Sequence, residues 1–147
     1  MEERARRIVE SAVELAEQGG FEAVRLRDVA ARSGVALGTL YTCFKSKEDI
    51  LIAACEREME TLDRLMELYP AQGESALERV VHFFTIASRA LFLRPNLARA
   101  VLRAVASGEP ELAERIARFH GELTRLITFA LRGPGAVSYT HLRAHET

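Results

Sequence analysis

Apolar residues along this chain recur at intervals of three and four, and no stretch alternates as a half-buried strand would. Ile8, Ala12, Leu15 and Ala16 draw one stripe along a first helix, from about residue 3 to Gln18. Gly19-Gly20 stops it as a glycine C-cap does. Phe21, Val24 and Leu26 then read as buried. A second helix over about 27–33 turns Val29 and Ala30 inward and ends at Gly34. A short third helix runs from near Leu37 to about Phe44.

Ser46 can cap the next helix, with Asp49 three residues on in the place of a capping-box acid. This fourth helix spans Lys47 to about Leu68, with Leu51, Ala54, Cys55, Leu62, Leu65 and Met66 as its apolar stripe. Pro70-Ala71-Gln72-Gly73 breaks the pattern. A fifth helix, Ser75 to Leu93, carries Val80, Val81, Phe83, Phe84, Ile86, Leu91 and Phe92 nearly all round, which predicts a central, buried position. Pro95 suits the first turn of a sixth helix ending near Ser107-Gly108. Pro110 opens a seventh, with Leu112, Ile116, Phe119, Leu123, Ile127 and Leu131, which Gly133-Pro134-Gly135 ends. Residues 137–147, VSYTHLRAHET, show no helical stripe. They read as an irregular tail, either an ordinary flexible terminus or coding foreign to the rest of the gene. The expected organisation is all-α: a helical unit over 1–47, a second helical unit over 48–136, then the tail at 137–147.

Composition adds bounds. The chain has 147 residues, 48% hydrophobic and 28% charged, an ordinary globular mix. Two cysteines, Cys43 and Cys55, make no CxxC pair and fit a reducing compartment. The N-terminus lacks an apolar signal core, and the stretch Val80–Leu93 is too short to span a bilayer. A cytoplasmic protein with no membrane partner is expected. The net charge of −1 does not announce nucleic-acid binding. Its distribution does: residues 25–47 hold Arg25, Arg27, Arg32, Lys45 and Lys47 against Asp28 alone.

The chemistry concentrates in the same block, LRDVAARSGVALGTLYTCFKSKED. Short helix, turn with Gly34, short helix is the helix-turn-helix plan. Small Ala30, Ala31 and Val35 permit a tight crossing. Gly38 allows close approach of a backbone to a phosphate or base. Thr39, Tyr41 and Thr42 supply hydroxyls on a helix narrow enough for the major groove. Lys45 and Lys47 beyond its end, and Arg25 and Arg27 at the supporting helix, can reach phosphates.

The run GVALGTLYTCFKSKEDIL, with FEAVRLRDVAARSG before it and a first helix ending in Gly-Gly, resembles the signature of TetR-family transcriptional repressors over about residues 3–60. The resemblance implies an all-helical homodimer with a three-helix DNA-binding domain and a C-terminal domain that binds a small molecule and releases DNA. Within that family the chain looks nearest to repressors of sterol and lipid catabolism. By position, Thr39, Tyr41 and Lys45 would contact phosphates. Lys47 would face the DNA backbone, and Gly38 and Thr42 the groove, with Ala36 and Leu37 nearby. Cys43 departs from the family's usual His or Tyr, which lowers the expected affinity. The family's interface helices would lie beyond residue 136, so a monomer or non-specific aggregates are expected for these 147 residues.

Outside this block the chemistry is sparse. Phe83, Phe84, Phe92 and Phe119 either line a lipophilic ligand pocket, as the resemblance implies, or form plain core. His82 and His120 read as interior residues. His141 and His145 stand at i, i+4 but lack a carboxylate or thiol partner, so no metal and no cofactor is expected. No triad, phosphate loop or paired carboxylate supports an enzyme. Two readings follow. One is a DNA-binding regulator that pairs with a palindromic operator and a lipophilic effector. The other is a helical interaction module with weak or defective DNA binding.

Overall fold

The computed structural model describes residues 2–133, and the expected tail at 137–147, with His141 and His145, lies outside them. Seven α-helices follow in order: α1 Glu3–Gly19, α2 Leu26–Ser33, α3 Leu37–Cys43, α4 Lys47–Leu68, α5 Ala76–Leu93, α6 Pro95–Val105 and α7 Ala113–Arg132. Two single 3-10 turns, Phe21–Ala23 and Pro110–Leu112, lead into α2 and α7. No strand is found among the described residues, so the protein is all-α with its helix-turn-helix unit first.

The helix ends carry the predicted devices. Ser46 Oγ accepts the N–H of Asp49 at 3.1 Å, and the Asp49 carboxylate accepts the N–H of Lys45 at 2.9 Å. Ser75 Oγ accepts the N–H of Glu78 at 3.1 Å while Glu78 reaches back to the Ser75 N–H, a reciprocal cap on α5. At the far end of α7, the Arg79 guanidinium donates to the carbonyls of Ala130 and Leu131, both at 2.9 Å. It thereby satisfies acceptors that have no partner within the helix.

Two apolar clusters hold the helices together. In the first, Ile8, Val9, Ala12 and Ala16 of α1 meet Val29, Ala30 and Leu40 of the helix-turn-helix and Ile50–Ala54 of α4. Leu97, Ala100 and Ala104 of α6 complete it. The small residues of α6 let it lie close on α1 and α4, so the second half of the chain shares the core of the first. Arg94 ties the same junction, 3.1 Å from Glu17 of α1 and 3.0 Å from Glu58 of α4. The second cluster joins Met66 of α4, Phe83 of α5 and Leu126 and Ala130 of α7. A buried ion pair, Arg125–Asp63 at 2.9 Å, links α7 to α4 beside it.

The expectation of a buried α5 fails. Phe83 is buried, and Ile86 packs partly against the same cluster, but Val81, Phe84, Leu91 and Phe92 are exposed, Phe92 at 81%. One face of α5 meets α7, and the opposite apolar face has no helix over it among the described residues. All-round apolarity reported what the helix can bury, not what the described chain brings to it. His120 likewise lies exposed on α7 rather than inside, and half-buried His82 uses Nδ1 to accept the Gln72 N–H at 2.8 Å.

Candidate nucleic-acid interface

The turn between α2 and α3 depends on Gly34. Its φ is +72°, and the N–H groups of Gly34 and Val35 return to the carbonyls of Ala31 and Ala30. Ser33, buried, returns its hydroxyl to the Val29 carbonyl at 2.7 Å. Arg32 on α2 binds Glu14 on α1 at 2.7 Å and helps set the angle of the pair.

Packing then sorts α3 into two faces. Leu40 is fully buried, and Leu37 and Phe44 join it against the core. Gly38, Tyr41 and Thr42, spaced i, i+3 and i+4, share the opposite, solvent face, with Tyr41 52% exposed. Nothing lies within 4 Å of where a Gly38 β-carbon would stand, so the protein's own packing does not require glycine there. What the missing side chain spares is space for something outside the protein. Ala36, exposed, is the N-cap of α3, and half-buried Thr39 offers its carbonyl to the Thr42 hydroxyl at 2.6 Å.

The cations of this segment stand at or beside helix ends. Arg25 is the N-cap of α2, Arg27 lies in its first turn, and both are exposed. Cations at the positive end of a helix dipole gain nothing for the fold, but they strengthen that end's attraction for an anion. Lys45 is exposed past the end of α3 and reaches Glu111 at 3.5 Å. Lys47 is half-buried: its ammonium stands 3.9 Å from the Phe21 ring centroid and 3.4 Å from the Phe21 carbonyl. Arg103 of α6 stands 4.1 Å from the same ring and pairs with Glu22 at 2.8 Å. Phe21 is therefore a platform shared by Lys47 and a residue of the second half, a role sequence reading missed. No local signal could reveal it, because Arg103 is far from Phe21 in sequence.

The four phenylalanines do not gather into one lining. Phe83 and Phe84 meet edge to face at 5.3 Å, Phe119 is half-buried beside His120, and Phe92 is on the surface. They line neither of two shallow clefts. One, between α1 and α4, holds Glu10, Glu14, Glu17, Arg57, Glu58 and Arg94. The other surrounds Asp49, Glu109, Glu111 and Arg115. Among the described residues no group of three or more His, Cys, Asp or Glu is placed to hold a metal, and no helix is long and apolar enough to cross a membrane.

Known proteins share this arrangement. Residues 8–54 match the bacterial regulatory proteins of the tetR family. The HTH-type transcriptional repressor KstR of Rhodococcus jostii is 36% identical over 129 residues, covering 88% of this chain and 60% of the relative. The chain thus spans about three fifths of that relative's length. A TetR transcriptional regulator from Rhodococcus sp. RHA1 superposes with a TM-score of 0.73 at 27% identity, over 92% of this chain and 71% of that one. FadR from Bacillus subtilis, solved in complex with stearoyl-CoA, gives 0.66 at 26% identity, over 82% and 65%. In its helix-turn-helix residues 8–54 the chain thus matches the tetR family of bacterial regulatory proteins, and over most of its described length it is similar to regulators of that family.

Proposed function

We propose that this protein is a sequence-specific DNA-binding repressor that lets go of its operator when a small lipophilic ligand binds. The observation that carries the DNA-binding half is the solvent face of α3. Gly38, Tyr41 and Thr42 stand clear of the core, and Arg25, Arg27 and Lys45 of the same segment are exposed. In this reading Tyr41, Thr39, Lys45 and Lys47 hold phosphates, Thr42 and Gly38 meet base edges, and Ala36 and Leu37 set the depth of entry. The operator is a palindrome read by two copies, and the protein works in the cytoplasm without catalysing a reaction. The ligand half draws support from relatives named as KstR repressors and from FadR, which was solved with stearoyl-CoA. Phe83 and Phe119 remain the proposed apolar contacts among helices α4 to α7, whereas exposed Phe84 and Phe92 are turned away from that space.

Duplex binding at several salt concentrations tests the first half. Lys47→Ala and Tyr41→Ala are expected to weaken binding to every sequence, and Lys47→Ala to lower the salt slope by about one. Thr42→Ala is expected to change preference at one base position. An unchanged slope in Lys47→Ala would refute this docking. The exposed apolar side of α5 favours the second reading, a helical interaction module. Binding of random and palindromic duplexes with equal, weak affinity would select it.

A further inference from the structure

Lys47 and Arg103 carry like charges, yet they share one aromatic ring. The Lys47 ammonium stands 3.9 Å and the Arg103 guanidinium carbon 4.1 Å from the Phe21 centroid, so the two cations are at most about 8 Å apart. Glu22 pairs with Arg103 at 2.8 Å, which leaves the group of three with one unbalanced positive charge. The Arg103 side chain is 59% exposed, but its backbone is fixed. Ala100 and Ala104, on either side of it in α6, are fully buried in the cluster with α1 and α4. Arg103 is thus held against the same core as the helix-turn-helix, although it belongs to the second half of the chain. A cation in the last turn of a helix suits the helix dipole, but that accounts for Arg103 alone and not for its meeting with Lys47.

We propose that Arg103 is itself a DNA-phosphate contact, taking a phosphate beside the one held by Lys47. The inference rests on the docking proposed above, in which Lys47 faces the DNA backbone. Phosphates of one strand follow one another at about 3.4 Å along the duplex axis, so two cations this close reach neighbouring phosphates of the same strand. The chemistry of the side chain fits. Glu22 accepts from Nη1 alone, and the rest of the guanidinium fork remains for the bidentate contact that arginine makes with a phosphate. The Phe21 ring holds both cations in place before DNA arrives, which lowers the cost of ordering two long side chains on binding. Glu22 then competes with the phosphate for the guanidinium and gives way as the duplex docks. The interface for the DNA backbone thereby extends from α3 and the start of α4 onto the end of α6.

Binding of a random-sequence duplex of about 30 base pairs, read by fluorescence anisotropy across a salt series, counts phosphate contacts through the slope. Arg103→Gln is expected to weaken binding and lower the slope by about one, with unchanged far-ultraviolet circular dichroism, while Arg103→Lys keeps the slope. Glu22→Gln is expected to tighten binding about twofold in the parent and less once Arg103 is replaced by Gln, since the carboxylate acts through that guanidinium. Arg132→Gln removes the same charge at the far end of α7. Met66, which packs near that end, lies about 28 Å along α4 from Lys47, so the slope should stay as in the parent. A slope that Lys47→Ala lowers and Arg103→Gln does not overturns this contact and leaves the docking standing. An equal fall in Arg132→Gln overturns it too, because the effect would then be one of net charge. So does a fall in Arg103→Lys as large as in Arg103→Gln, which would mark Arg103 as a support for Phe21. A slope unchanged in Lys47→Ala refutes the docking and this inference with it.

Discussion

A β-carbon at Gly34 would meet no atom within 4 Å, yet its φ of +72° is one that other residues adopt only with strain. Gly34→Ala therefore isolates the backbone cost of the turn, about 1 kcal/mol, readable as a drop in urea midpoint with unchanged slope. Gly38 is the complementary case. Its backbone is ordinary and its surroundings open, so Gly38→Ala should leave stability within about 0.5 kcal/mol while lowering duplex affinity. Cys55 offers a pH test. Burial on α4, with Glu56 and Glu58 adding negative charge nearby, pushes its thiol up to about 11. The unfolded chain ionises such a thiol near about 8.5. The native preference for the protonated form is therefore fully present below that value and is lost as pH rises from it toward 11. Melting temperature should fall across this window more steeply in the parent than in Cys55→Ala, whose alanine does not titrate.

At the scale of elements, helix ends and one buried ion pair decide how well the helices stay in place. Ser46→Ala removes the acceptor for the Asp49 N–H at the start of α4, at a cost of about 1 kcal/mol. The Asp63–Arg125 pair is more demanding, because both side chains are nine-tenths buried or more. Asp63→Ala removes one buried carboxylate partner of the guanidinium, on α4, and leaves Glu122 on α7 paired with it. Chemical denaturation should register a loss of about 3 kcal/mol, within the range for breaking a buried pair. The surface pair Lys45–Glu111, with both partners exposed, should contribute almost nothing to the same measurement.

For the whole molecule, the consequential contact is α6 against the N-terminal helices. Ala100 and Ala104 are fully buried where α6 joins the core of α1 and α4. Ala104→Leu should overpack that junction and cost about 1–3 kcal/mol in a single cooperative transition, since the two halves share one core. Two separate transitions would show that the halves unfold independently. The Phe21 platform sits on the same boundary, and a double-mutant cycle between Lys47 and Arg103 in duplex binding would measure the energy it transmits.

The linear order of residues was enough to locate the seven helices and the solvent face of α3. Those depend on local physics: the 3.6-residue period, Gly34 at the turn, Ser46 and Ser75 as caps, and small residues at the crossing. Even the expected bounds of α4 hold, because a cap marks one end and Pro70 follows the other. Contacts between distant segments were not legible. The apolar residues of α5 are alike in sequence, and only the position of α7 decides that Phe83 is buried while Phe84 and Phe92 are not. Lys47 carries no mark of Phe21 or Arg103, and Asp63 none of Arg125, since partners so far apart in sequence leave no periodic trace. Local preferences act over a few neighbouring residues, whereas a side chain's neighbours across the core exist only once the helices have packed.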